Sequence, residues 1–292
     1  MVSGGSGFLG RALERVLTRD GHRVTALTRR ARPERPRDVV WTPNGEAGPW
    51  AEALSGVDAV VNLAGEGMAD QRWSAARKAA LLDSRLQATT SLVQAVRRVA
   101  NGPRVFVSAS GVGYYGPHAD ERLTEDAPAG TDFVATMAAA WEAAAAPAGG
   151  AGRLVLLRTG LVLGAEGALA KMRLPFRLGV GGRLGSGRQW MPWIHVDDWA
   201  ALTARLITDT HAHGPFNLTA PEPVTNADFT RALGRALHRP TLFAVPGIAL
   251  KLALGEMAEL LLTGQRAVPA KAQALGYQFR YAQLDPALAS LV

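Results

Sequence analysis

The 292-residue chain contains no cysteine, which excludes disulfides and thiolate chemistry of every kind. It also lacks a long uninterrupted apolar run. The longest, "GIALKLALGEMAELLL", is broken by Lys251, Glu256 and Glu259, so no membrane span is expected. Glycines stand near the start, where a secretory leader needs an apolar stretch, and a cytoplasmic protein is expected. Acidic residues are outnumbered, giving a net charge of +7, but the positive side chains are nearly all arginine and are scattered. Their tightest cluster, "TRRARPERPR", has no interleaved aromatics, so no nucleic-acid partner is expected. Internal repeats and disordered linkers are absent as well. What remains is an ordinary soluble composition, 48% hydrophobic and 20% charged, long enough for one α/β domain with a smaller lobe.

Short β-branched runs alternate with helical stretches through the first half, the pattern of a parallel sheet. "HRVTALT" (22–28), "DVVW" (38–41), "DAVVNLAG" (58–65), "RVFVSAS" (104–110) and "RLVLLRTGLVLG" (153–164) read as strands two to six. Strand one is Met1 and Val2 alone, shorter than a central strand should be, and is expected to be truncated or frayed. Helices are expected over about 8–20, ended by Gly21, over 74–100, and over 131–146 between Asp132 and Pro147. Residues 165–190, Gly- and Arg-rich, read as an ordered loop. "PWIHVDDWAALTARLI" gives a strand and then a helix, "GPFNLT" a short strand, and "TNADFTRALGRALHR" an amphipathic helix capped at Thr225 or Asn226. The rest reads as helical with a Gly-Tyr-Gln-Phe break.

The opening "MVSGGSGFLG" places Gly4, Gly7 and Gly10 in a GxxGxxG spacing, with Phe8 and Leu9 starting a helix after Gly7. Such a turn presents helix N-terminal amides to a phosphate. The acidic residue that binds a ribose 2′-hydroxyl in NAD enzymes is missing about 20 positions on. Thr28, Arg29 and Arg30 stand there instead, so NADP(H) is favoured over NAD(H), the arginines clamping a 2′-phosphate. Two solvated surface arginines are the competing reading. In "NLAG", Leu63, Ala64 and Gly65 bring backbone close to the cofactor. "SASGVGYYG" supplies Ser108, Ser110, Tyr114 and Tyr115 at the end of strand five, where open α/β sheets bind ligands. For each serine, a buried hydroxyl bonded to backbone competes with a functional role. His195 reads as bonding backbone at the sheet edge. Arg188, Trp190 and Trp193 line a pocket for a polar ligand, or else the tryptophans are core.

"SGGSGFLG", "NLAG", "SASGVGYYG", "LLRTGLVLG" and "WIHVDD", in this order, resemble the extended short-chain dehydrogenase/reductases. "DSRLQATTSLV", "LTEDAP", "GSGRQWMPWIHVDD", "NLTAPEPVTN" and "GEMAELLLTGQR" are similar to an atypical, NAD-dependent epimerase/dehydratase-like branch, often labelled epimerase family or cell-division-inhibitor-like. The resemblance covers essentially the whole chain. It implies a doubly wound parallel Rossmann sheet in residues 1–164 and 188–220, with a small, mostly helical C-terminal substrate lobe in 165–187 and 221–292.

The departures bear on chemistry. Active members of the wider family carry an Asn, a Ser or Thr, and a Tyr-x-x-x-Lys pair. The serine maps onto Ser110 and the asparagine onto Arg85, here grouped with the cofactor-binding residues. The Tyr-x-x-x-Lys register falls on Phe133 and Met137, or on Val134 and Ala138, with neither phenol nor amine. The atypical branch shares this loss. The expectation is an NADP(H)-binding oxidoreductase or epimerase-like enzyme acting on a small molecule, with Ser110, Tyr114 and Tyr115 as catalytic candidates. It is a monomer or homodimer, with no metal and no membrane partner. A non-catalytic NADP(H)-binding sensor is the alternative.

Overall fold

The computed structural model describes residues 1–292. Seven strands form its central sheet: β1 (Val2–Ser3), β2 (Ala26–Thr28), β3 (Val39–Val40), β4 (Ala59–Asn62), β5 (Val105–Gly111), β6 (Arg153–Thr159) and β7 (Gly214–Leu218). They lie in the order β3-β2-β1-β4-β5-β6-β7, with every pairing parallel. The main helices are α1 (Phe8–Arg19), α2 (Ala75–Arg98), α3 (Phe133–Ala145), α4 (Ala168–Arg177), α5 (Val196–Thr208), α6 (Asn226–Ala236) and α7 (Gly247–Leu254). This is the doubly wound α/β arrangement.

The two-residue period of the strands sorts the core into layers. Val105 and Val107 face α1 and α5, in one cluster with Val2, Val61, Val155 and Trp199. Phe106 points the other way, toward α2 and α3, with Leu27, Val60, Leu92 and Ala145. A third cluster, built on Trp193, Phe229 and Leu288, holds the C-terminal lobe together. Burying each large side chain stabilises the fold by about 1.5–3 kcal/mol.

Asp132 starts α3 by accepting the amides of Val134 (2.7 Å) and Ala135 (3.1 Å). Ser74 does the same for α2 through Arg77. Gly21, at φ +85°, follows the end of α1.

Strand one is indeed short, but it is not frayed. Val2 pairs with Ala26 and Val61, Ser3 pairs with Leu27 and Asn62, and the Ser3 hydroxyl donates to Asn62 Oδ1 at 2.7 Å. Strand two is shorter than expected, because residues 22–25 lie outside the ladder.

Strand six divides at Gly160. A Cβ there would stand 2.3 Å from the Pro192 carbonyl oxygen, so the chain bends away. Leu161–Leu163 then pairs with Trp193–His195 outside the main sheet. The expected loop over 165–190 is corrected: it contains α4 and the strand Gly182–Leu184. The abundant glycines and arginines hid a good helix-forming run, "ALAKMRL", that starts directly after Gly167 at φ +73°. The C-terminal stretch is helical as expected, and it also contributes the strands Phe243–Val245 and Arg266–Ala267.

Candidate functional site

The site lies at the carboxyl edge of the sheet, where the loops leaving β1, β2, β4 and β5 converge. At the glycine turn, Gly4 sits at φ +70°, and a Cβ on it would lie 2.7 Å from the Leu63 carbonyl oxygen. A Cβ on Gly10 would lie 2.5 Å from the Gly4 oxygen. The turn, α1 and the loop after β4 are therefore in backbone contact.

Gly7 caps α1 without a side chain, its own amide donating to Gly4 at 3.0 Å. The Phe8, Leu9 and Gly10 amides that follow have no acceptor in the protein. Three aligned donors at a helix N-terminus, in a cradle that any Cβ would fill, fit a pyrophosphate. The Phe8 ring itself packs against Gly164 and Gly167.

Beyond β2, Arg29 and Arg30 are exposed and meet no carboxylate, although Thr28 Oγ1 donates to the Arg30 carbonyl at 2.8 Å. Their neighbours are committed: Arg32 pairs with Asp38, and Arg35 with Glu14 and Asp38. Asp38, the carboxylate tied to β2, is buried and accepts the Ala26 amide at 3.0 Å as well. Asp38 is thereby withdrawn from a ribose diol, whereas two guanidinium groups are free for a phosphate; Glu34, exposed in the same loop, pairs with no cation.

The loop after β4 is fixed from α2. Arg85 donates to the Glu66 carbonyl (3.0 Å) and the Leu81 carbonyl (2.8 Å), Arg77 to Gly67 (2.7 Å), and the Trp73 indole to Met68 (2.9 Å). Arg85 is buried, its guanidinium 5.0 Å from the Trp141 ring, and its Nε has no partner. Burial pulls this guanidinium down to about 10, against the attraction of Glu66. Arg85 thus supports the loop carrying Leu63, Ala64 and Gly65 from below, and its two terminal nitrogens are spent on carbonyls.

At the end of β5, polar groups are consumed in a buried network. The Ser110 hydroxyl donates to Glu142 Oε1 at 2.7 Å. Arg158 holds the same carboxylate with two bonds of 2.8 Å. Arg158 also donates to the Tyr115 hydroxyl (3.1 Å) and the Glu125 carbonyl (3.0 Å), and Tyr115 donates to Asn217 (2.7 Å). Ser108 is wholly buried, with only a long 3.4 Å contact to the Ala109 carbonyl.

Tyr115 has no exposed surface, and burial pushes its phenol up to about 12. This position removes it from the proton-transfer role expected of it. Tyr114 differs. It is half-buried, the Arg158 guanidinium lies 3.5 Å from its ring centre, and no partner inside the protein holds its hydroxyl.

Where the family's phenol would stand, α3 begins with Phe133, which meets Trp73 edge-on at 5.2 Å. Lys78 Nζ lies 5.3 Å from the Phe133 ring and 2.5 Å from Glu256 Oε2 of the C-terminal lobe. An amine is therefore present at this end, but it comes from α2 rather than α3. Sequence reasoning missed Lys78 and Trp73.

On the lobe side, Arg188 is exposed. The Trp190 indole donates to Asp120 at 3.0 Å, under the Arg266 guanidinium at 4.4 Å. Trp193 is corrected from pocket to core: it is fully buried, its indole bonded to the Glu222 carbonyl at 3.0 Å. His195 accepts the Asp197 amide at 3.1 Å, capping α5, so its Nδ1 is bare and its Nε2 faces Ser290 at 3.2 Å. Burial holds its imidazole below the ordinary value, outweighing Asp197 and Asp198. A cavity of about 510 Å³ lies elsewhere, between α1 and α5 beside Arg15, Arg19 and Arg280. It has no convergent unpaired donors like those of the glycine turn.

Residues 1–218 match the model of the NAD dependent epimerase/dehydratase family, and residues 245–291 match a domain of unknown function, DUF1731. An epimerase family protein of Mycobacterium bovis is 45% identical, over 98% of this chain and 95% of its own length. The epimerase family protein SDR39U1 of Bos taurus is 40% identical, over 100% and 99%. The crystal structure of human SDR39U1 with NADPH superposes with a TM-score of 0.92 at 37% identity, over 99% of this chain and 97% of that one. MoeE5 in complex with UDP-glucuronic acid and NAD, at 21% identity and a TM-score of 0.79, shares the fold.

Proposed function

Because the chain belongs to the NAD-dependent epimerase/dehydratase family, we propose that it is an NADP(H)-dependent oxidoreductase or epimerase-like enzyme acting on a small molecule. The observation that carries this reading is the pairing of three unclaimed amides at α1 with two unpaired arginines past β2. The NADPH of the human relative supports the choice of cofactor. Bound there, the cofactor would supply hydride transfer. The Ser110 hydrogen is committed to Glu142, so its oxygen can orient a substrate hydroxyl but cannot protonate anything. Tyr114 is the phenol left free for a proton, and Lys78 brings a cation 5.3 Å from the Phe133 ring. Arg188 and Trp190 line the lobe side.

The Phe133–Trp73 pair favours a second reading, a non-catalytic NADP(H)-binding sensor. A metabolite screen with bound NADPH, read by nicotinamide absorbance, separates the two. The enzyme reading expects turnover that falls about tenfold or more in Tyr114→Phe and in Ser110→Ala, with cofactor affinity nearly intact. Turnover unchanged in both variants removes these residues from the chemistry. Tight NADPH binding with silence across the screen selects the sensor.

A further inference from the structure

Large apolar side chains are exposed mainly in one region, the C-terminal lobe. Leu174 and Leu178 stand one turn apart at the end of α4, 60% and 69% exposed, with Val180 just beyond. Ile248 and Leu252 stand one turn apart on α7, at 73% and 76%, and α7 has no buried residue at all. Leu242 and Phe243 precede α7 and are likewise more than half exposed. The strand pairing of Gly182–Leu184 with Phe243–Val245 ties the α4 segment to the α7 segment, so these side chains belong to adjoining surfaces. Surfaces of this kind on soluble domains mark interaction sites.

The charge around this region identifies the occupant. Residues 167–196 and 229–255, within which it lies, hold nine lysines and arginines, and the nearest acids, Glu166, Asp197, Asp228 and Glu256, stand at their borders. The rest of the chain holds all 25 acidic residues. Four of the nine cations pair with carboxylates from outside these segments: Lys171 with Asp70, Arg231 with Asp228, Arg235 with Asp285, and Lys251 with Glu259. Arg173, Arg177, Arg183, Arg188 and Arg239 meet no carboxylate; Arg173 and Arg183 donate to carbonyls instead. A second copy of the chain would bring the same positive charge against itself, which argues against a symmetric dimer through this face.

We propose that this face docks on an anionic lipid surface. Ile248, Leu252, Leu174 and Phe243 would enter the acyl boundary, while Arg177 and Arg239 meet lipid phosphates. No helix here is long and apolar enough to cross a membrane, so the face would lie on the lipid surface rather than span it. The proposal is independent of the cleft chemistry.

The full-length protein is sedimented with vesicles of phosphatidylcholine alone, and with vesicles in which a quarter of the lipid is phosphatidylglycerol. Binding is expected to the second kind at low salt, with release at high salt. Ile248→Gln with Leu252→Gln should lower partitioning about a hundredfold. Arg177→Gln with Arg239→Gln should lower it about 25-fold. All four positions are exposed, and unchanged NADPH affinity would confirm that the fold is intact. No binding to anionic vesicles overturns the proposal, as does binding that the apolar pair does not affect. A concentration-dependent dimer that Leu252→Gln dissolves would overturn it in favour of a second copy.

Discussion

Over β1 and β2 the carboxyl edge leaves its donors unpaired, whereas over β5 and α3 it spends nearly every polar group on another. Phe8, Leu9 and Gly10 offer amides, and Arg29 and Arg30 offer guanidinium groups, to something outside the protein. Ser110, Glu142, Arg158, Tyr115 and Asn217 satisfy one another within the fold. Exposed, unsatisfied donors point to a ligand, and buried, satisfied ones point to a scaffold. The first region is the binding site proposed here, and in the second most polar groups are structural.

The most damaging change should strike the scaffold. Glu142→Ala leaves the buried Arg158 guanidinium without its carboxylate, and unfolding stability should fall by about 3–5 kcal/mol. Chemical denaturation measures it, and a loss no larger than that of a surface substitution would break the contrast drawn between the two regions. Next comes the binding end. Gly4→Ala sets a Cβ 2.7 Å from the Leu63 carbonyl oxygen at a positive φ. NADPH affinity should drop about a hundredfold, or about 2.7 kcal/mol. Titration with retained helical circular dichroism checks this, and wild-type affinity would show that the turn does not carry the cofactor.

A smaller effect should come from His195, which caps α5 in its neutral form. Burial sets its folded-state value below that of the unfolded chain. Its share of stability is thus complete above about pH 6.5 and is lost as the pH falls below that value toward the folded-state one. His195→Ala should cost about 1 kcal/mol as a lost cap and flatten this part of the pH–stability curve. An identical slope in the variant would remove His195 as its source.

The sheet, its flanking helices and the glycine turn were legible because each rests on a local rule. Short β-branched runs, Asp132 at the start of α3, and Gly10 against the Gly4 carbonyl all act within a few positions. The site over β5 was less legible because its partners are distant in sequence: Ser110 meets Glu142, Arg158 meets Tyr115, and Lys78 meets Glu256. A signal for one of these was present. Arg158 is a lone charge toward the end of the apolar run "LVLLR", and Glu142 is the one charged residue in the body of α3. Two isolated opposite charges in buried elements call for each other. Trp193 misled because an indole beside a glycine-rich loop suits a pocket and a core equally. α4 was hidden by the glycines and arginines around it.

The central claim is that the unpaired groups past β2 hold a 2′-phosphate, and calorimetric titration of NADPH and NADH against the wild-type protein and Arg29→Ala tests it most directly. The wild type should bind NADPH more tightly by roughly one to two decades, the worth of a charge-assisted bond of about 1.5–3 kcal/mol. Arg29→Ala should erase most of that difference while leaving NADH nearly unchanged. Equal affinities in the wild type, or equal losses for both cofactors in the variant, would contradict the claim.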